Sequence, residues 1–374
     1  DHPAARHTMN YDITCTLGTT TDSDTVLEEM IRAGMNGARI NTAYATTDDY
    51  TRRIEQAREV AAGRPMRIML DIKGPQIRLG AIDPYSIRAG QELLVGYDED
   101  HQVYLNKDIH DDMSVGDPVL LENGTIRTVV TAKYTHDLRL KVVEAGDGVI
   151  YKHMGVNVPG VDIRIPFLSE GDKSLITYAL DHDIERIALS FVRNADDVLD
   201  AYSVMREYDP AKAANIQIVA KVESEAGVRN LDNIIRRTQS ASIDLAVMVA
   251  RGDLAVELGE TALAGAQEDI ISTCRRYGIP VIVGTGVLES MQRNRRPTRA
   301  EALDAYHILK SGADGIMLSA ETSFGEHPVL VVQTLREIID DYANRKVSGA
   351  AEEPHPLADI IDVDHHGVEM HSDL

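Results

Sequence analysis

Two short stretches carry residue types that could do chemistry together. Lys221-Val-Glu-Ser-Glu and Val249-Ala-Arg-Gly-Asp-Leu254 each follow a short apolar run and precede a helix-like segment. An apolar run of that length reads as a buried parallel strand. Charged side chains at its C-terminal end then sit at the mouth of a sheet or barrel, where α/β enzymes place their chemistry. Lys221 and Glu223 are two apart, so they leave the strand end in the same direction. The next strand brings Asp253 to that rim. Two neighbouring carboxylates repel each other, and a divalent cation relieves this. Mg²⁺ takes one or two carboxylates and completes its shell with water and substrate oxygens. Lys221 supplies a point charge for a transferring phosphoryl group or a developing enolate. An ordinary ion-pair cluster at a barrel rim is the plainer alternative.

Other strand ends fit the same chemistry. Gly252 lets the backbone approach a ligand closely, and the amides at the helix start favour an anion such as a carboxylate. Arg39 and Asn41 leave one strand. Asp71 and Lys73 leave another, followed by Gly74-Pro75 and Arg78. Arg39, Lys73 and Arg78 could clamp phosphate, and Asn41 and Asp71 are oxygen ligands for a cation. Thr285, Ser319 and Glu321 decorate two later strand ends; singly, a Thr or Ser there reads as a helix cap. Together these residues describe a Mg²⁺-dependent enzyme acting on an anionic phosphorylated or carboxylate substrate.

The elements that must position them form a repeated rhythm. Strand-like runs at 13–18, 37–41, 67–72, 184–191, 217–221, 244–250, 280–284 and 315–319 alternate with helical segments such as 48–62, 195–208, 262–277 and 299–311. Eight such units predict an α/β fold, a (β/α)8 TIM barrel; a doubly wound sheet is the competing fold. After the third strand the rhythm breaks. Short alternating runs at 103–105, 118–121, 126–132 and 138–144, with turn residues between them, predict a small inserted all-β domain. The predicted division is a discontinuous barrel over 1–80 and 154–345, an inserted β lid over 81–153, and an acidic, His-containing tail over 346–374. The tail composition suits disorder or a surface-lying extension. Residues 1–8 read unlike the start of a fold, with Met9 as the natural start.

The composition narrows the classes further. Apolar residues make up 43% of 374, with no Trp and three Phe, so the core must be Val, Ile, Leu, Ala and Met. A formal net charge of -22 lacks the basic footprint of nucleic-acid binding. Abundant Asp, and Arg in excess of Lys, suit a salt-adapted (halophilic) cytoplasm, where screening offsets self-repulsion. Cys15 and Cys274 form no disulfide or metal framework and read as core thiols. No apolar run is long enough for a membrane span, and a cytoplasmic protein is the expectation.

The chain resembles the pyruvate kinase family over residues 11–345. The carriers are CTLG at Cys15, GMNGARIN at Gly34, LDIKGPQIRLG at Leu70, GVNVPGVDIRIP at Gly155, AKVESEAGVRN at Ala220, MVARGDLAVE at Met248, LESM with RRPTRAE from Leu288, and GADGIMLSAET at Gly312. The resemblance implies a barrel with a small β lid, phosphoryl transfer from phosphoenolpyruvate to ADP, and then protonation of enolpyruvate. It implies Glu223 and Asp253 as ligands of Mg²⁺ (or Mn²⁺), and Lys221 as the lysine stabilising phosphoryl group and enolate. Thr285 is implied in protonating the enolate carbon, the Gly252 and Asp253 amides in holding the substrate carboxylate, and Arg39 in binding phosphate. Asn41 and Asp71 match ligands of a monovalent cation, and Arg78 a charged residue near the nucleotide.

The chain departs from the family pattern mainly on the nucleotide and potassium side. Ala43 and Tyr44 stand where the family has Ser and His, and Thr19 stands where it has Pro. Gln76 replaces a Glu, which leaves potassium dependence open. Met154 replaces a lysine, for which Lys152 could substitute. Gly286-Val287 replaces the Gln-Met that follows the threonine. A C-terminal regulatory domain is expected to be missing, so allosteric control through it is not expected; a homo-oligomer is. A pyruvate kinase is the first reading. A related barrel using Mg-enolate chemistry with another acceptor or none (a lyase or decarboxylase) is the second. A non-catalytic phosphoenolpyruvate-binding protein is the third.

Overall fold

The computed structural model describes residues 11–43 and 46–347. The expectations for residues 1–8, Tyr44 and most of the tail lie outside the described residues. Eight parallel strands close into the expected barrel: Asp12–Thr16, Gly37–Asn41, Arg67–Ile72, Arg186–Leu189, Gln217–Val222, Leu245–Ala250, Val281–Gly284 and Gly315–Leu318. The last pairs with the first, Gly315 lying opposite Asp12. Parallel strands need a crossover of a dozen or more residues, which a helix supplies. The helices start and stop on local signals. Ser23 accepts from the Val26 amide ahead of Asp24–Ala33, and Gly34 ends that helix at φ 119. Thr298 and Glu301 form a capping box for Arg299–Ser311.

The barrel interior is filled by Met69, Val219, Met248, Ile282 and Met317 with Ala188, Ala246 and Ala250. A larger apolar layer lies between strands and helices. At the floor, Arg186 is buried and paired with Asp12, and donates to the Thr14 hydroxyl across 2.9 Å. Both cysteines are buried and free. No helix among the described residues is long and apolar enough to cross a membrane.

A six-stranded sheet is inserted after the third barrel strand, in the order Ile77–Arg78, Gly155–Asn157, Pro118–Leu121, Ile126–Lys133, Leu138–Ala145, Glu92–Val95. It has its own apolar cluster, including Leu93, Val119, Ile126, Leu140 and Val142. Its first and last strands in the chain, Ile77–Arg78 and Gly155–Asn157, are antiparallel neighbours, with Gly155 opposite Arg78, so the chain leaves and re-enters the barrel at one place. Two local expectations change. Residues 103–105 form only isolated bridges, Leu79 to Leu105 and Gly96 to Tyr104. The helix expected from 262 begins at Glu260 and is preceded by a separate helix, Arg251–Leu258, broken from it at Gly259 (φ 85). Apolar periodicity cannot resolve a one-residue break of that kind.

Candidate active site

Every residue singled out above as a site candidate, except Lys152 and Glu321, lines one cavity of about 970 Å³ at the C-terminal mouth of the barrel. Its floor is an ion network on Asp71. The Asp71 carboxylate accepts from Arg39 Nε at 2.8 Å and from the Ser190 hydroxyl at 3.1 Å. Arg39 pairs a second nitrogen with it at 2.7 Å, and Lys221 Nζ lies 3.3 Å away. Lys221 also donates to Ser190 Oγ at 2.9 Å and lies 3.2 Å from Glu223 Oε1. All of these side chains are buried. Burial alone would push the Asp71 carboxyl up, but Lys221 and Arg39 outweigh it and hold it below its ordinary value. Burial likewise opposes the charge on Lys221, yet Asp71 and Glu223 hold its ammonium above the ordinary value.

Glu223 behaves differently. Burial raises it to about 7, with Asp253 and Asp71 adding to the rise and Lys221 opposing it. Its Oε1 accepts one backbone N–H, from Phe191 at 3.1 Å. Negative charge is therefore in excess around Glu223 and Asp253, which is the condition a divalent cation relieves. Among the described residues no group of three or more His, Cys, Asp or Glu is arranged to hold a metal. Two carboxylates with the remaining positions left to water and substrate are what Mg²⁺ uses beside a phosphate, so the donor set fits that ion.

Thr285 stands across the cavity at φ 75, a left-handed conformation rare for a β-branched residue. Two neighbours fit it there. A Cβ on Gly252 would come within 3.1 Å of Thr285 Cγ2, so glycine permits this approach. Arg251 Nε donates to the Thr285 carbonyl at 3.0 Å while its other nitrogens hold Asp304 at 2.8 and 2.9 Å. Ser319 lines the same cavity, its hydroxyl oxygen buried without a hydrogen-bond partner among the described residues. Its amide donates to Glu321 at 2.6 Å, a carboxyl that burial raises to about 7.

The inserted domain reaches this site through Asn157, whose Nδ2 donates to Asp253 at 3.1 Å and to Glu257 at 3.3 Å. Burial raises Glu257 to about 7, the Asn157 hydrogen bond opposing and Asp253 adding to the rise. On the other side, Asn41 Oδ1 accepts the Ala43 amide at 3.1 Å. Lys152 lies on an exposed turn of the inserted domain away from the cavity, and Met154 is buried in that domain's core.

Sequence reasoning missed Ser190, Asn157, Glu257 and Asp304. Ser190 ends the fourth barrel run, so the strand-end rule could have found it. The other three carry no local signal, because only the fold brings them to their partners.

The model of the pyruvate kinase barrel domain matches residues 8–332. The chain is 38% identical over 338 residues to the pyruvate kinase of Bacillus licheniformis, covering 87% of this chain and 56% of that protein. The same figures hold for the pyruvate kinase of Geobacillus stearothermophilus. For the pyruvate kinase of Kluyveromyces lactis the identity is 36% over 339 residues, covering 87% of this chain and 66% of the relative. The chain thus spans 56% of the length of the first two bacterial relatives it matches.

Proposed function

The chain belongs to the pyruvate kinase family, and on that premise we propose that it transfers the phosphoryl group of phosphoenolpyruvate to ADP, giving pyruvate and ATP. The observation that carries the reading is the shared anchoring of Arg39 and Lys221 by Asp71, in the same cavity as the Glu223 and Asp253 carboxylates. Two cations held rigid by one buried carboxylate form a preorganised receptor for a phosphoryl group. Preorganised charge needs no rearrangement as the transition state forms.

In this reading Arg39 binds the phosphoryl oxygens. An oxygen of the ADP β-phosphate attacks phosphorus as the bond to the enol oxygen breaks, and Lys221 neutralises the charge left on that oxygen. The Gly252 and Asp253 amides, at the start of the helix Arg251–Leu258, hold the substrate carboxylate. Thr285 delivers or relays the proton that converts the enolate to pyruvate. Arg78 faces the nucleotide. Glu223 and Asp253 would hold Mg²⁺, which when bound supplies positive charge to the phosphoryl and enolate oxygens. Positioning and charge neutralisation supply most of the acceleration.

The same reading takes residues 1–80 and 154–345 as the barrel and 81–153 as a lid. It takes the protein as cytoplasmic, homo-oligomeric and salt-adapted. The test is pyruvate formation from phosphoenolpyruvate and Mg²⁺, with and without ADP, over a potassium series at several total salt concentrations. ADP-dependent turnover supports the reading. Turnover without ADP redirects it to enolate chemistry with another acceptor, and none in a protein shown folded sinks it.

A further inference from the structure

Asn157 ends the strand Gly155–Asn157, on which the inserted sheet returns to the barrel. Its neighbours Val156 and Val158 are buried in the apolar cluster of the inserted domain. Side chains alternate along a strand, so Asn157 turns the other way, toward the barrel, and is itself only 5% exposed. There it meets the helix Arg251–Leu258. The inserted domain touches that helix a second time at Gly124, where a Cβ would lie 3.5 Å from Val256 Cγ1.

Asp253 and Glu257 stand four residues apart on that helix, so their carboxylates share a face and repel each other. A side-chain amide has two N–H groups on one nitrogen. Asn157 Nδ2 gives one to each carboxylate, to Asp253 Oδ1 at 3.1 Å and to Glu257 Oε1 at 3.3 Å. Among the described residues no other side chain hydrogen-bonds to Asp253 or pairs with it. Glu223 is fixed by barrel residues instead, with Lys221 Nζ at 3.2 Å and the Phe191 amide at 3.1 Å. The two carboxylates proposed to hold the metal are thus oriented from different domains.

We infer that Asn157 is a positioning residue: it sets the Asp253 carboxylate for a divalent cation, so that metal affinity depends on the inserted domain being seated on the helix Arg251–Leu258. The inference rests on the reading of Glu223 and Asp253 as Mg²⁺ ligands. A hydrogen bond that orients a ligating carboxylate is worth roughly 10- to 100-fold in metal affinity. The dependence is reciprocal, so the bound cation also steadies the strand that carries Asn157.

The experiment is calorimetric Mg²⁺ binding to the full chain, with the Mg²⁺ dependence of turnover measured beside it. The variants are Asn157→Ala, Asn157→Leu (which keeps most of the volume) and Asp253→Asn. Both Asn157 variants are expected to raise the Kd for Mg²⁺ by about tenfold. The Mg²⁺ concentration giving half-maximal turnover should rise by the same factor, with turnover largely recovered as Mg²⁺ is raised. Hydrogen exchange on the wild type reads the link without any substitution: Mg²⁺ should slow amide exchange in Gly155–Asn157. An unchanged Kd in folded Asn157 variants, or a Mg²⁺ effect on exchange confined to the barrel strand ends, overturns the inference; loss of Mg²⁺ binding in Asp253→Asn then still keeps the ligand reading. Mg²⁺ binding untouched by Asp253→Asn overturns the ligand reading and the inference together. Mg²⁺ binding that depends on Asn157 in a protein whose wild type shows no turnover keeps the inference and overturns phosphoryl transfer.

Discussion

Arg251 holds Thr285 by its backbone, donating from Nε to the Thr285 carbonyl across 3.0 Å. The same guanidinium is gripped at its other end by Asp304, on the helix Arg299–Ser311. Thr285 sits at a φ that costs a β-branched residue of order 1–3 kcal/mol, so something must hold it there. Arg251, fixed by Asp304, is that support.

Asp304→Ala should therefore lower kcat by roughly tenfold with little change in the KM for phosphoenolpyruvate, because a small misplacement of a reacting group is costly. Steady-state kinetics on both substrates checks it. An equal rise in KM with kcat intact would mean that Asp304 serves binding instead.

Lys221→Met should abolish turnover, by ~100-fold or more, and also destabilise the protein. The ammonium is the neighbour Asp71 and Glu223 share, and removing one partner of a buried ion pair costs roughly 3–5 kcal/mol. Chemical denaturation alongside the kinetics separates the two effects. Double replacement with Asp71→Asn should recover part of the stability and none of the activity.

The raised carboxyls fix a pH dependence of stability for the metal-free protein. Glu223, Glu257 and Glu321 each lie at about 7 in the folded state against an ordinary 4.5. Between those values the folded chain binds more protons than the unfolded one, so their contribution is full below 4.5 and is lost as pH rises through 7. Mg²⁺ competes with the Glu223 proton, so the Mg²⁺-induced rise in Tm should be larger above pH 7 than below it. Tm measured with Mg²⁺ and with a chelator across this range tests it; a pH-independent Mg²⁺ effect would remove Glu223 from the ligand set.

The net charge of -22 should make the fold salt-dependent. Screening of self-repulsion is expected to raise Tm by roughly 2–4 °C for each kcal/mol relieved as KCl goes from about 0.1 M to about 2 M. A flat or falling Tm would show the acidity to be unconnected with salt.

Much of this molecule is legible in its sequence. The βα rhythm repeats because parallel strands must be buried on both faces and need long crossovers, and that leaves apolar runs that can be counted. The break after the third barrel strand is visible because the hydrophobic period changes. Lys221, Glu223, Arg39 and Asp71 could be picked out because a polar residue at the end of an apolar strand has only the barrel mouth to point into. These signals are local.

What the tertiary structure alone decided is which charges meet. Asp71 and Lys221 are far apart in the chain and 3.3 Å apart in space. Asp304 supports Thr285 through an arginine from a different strand end. No period or composition encodes such pairings. They depend on barrel register and on the angle at which the inserted sheet meets the barrel, and both are set by the sum of many weak packing contacts.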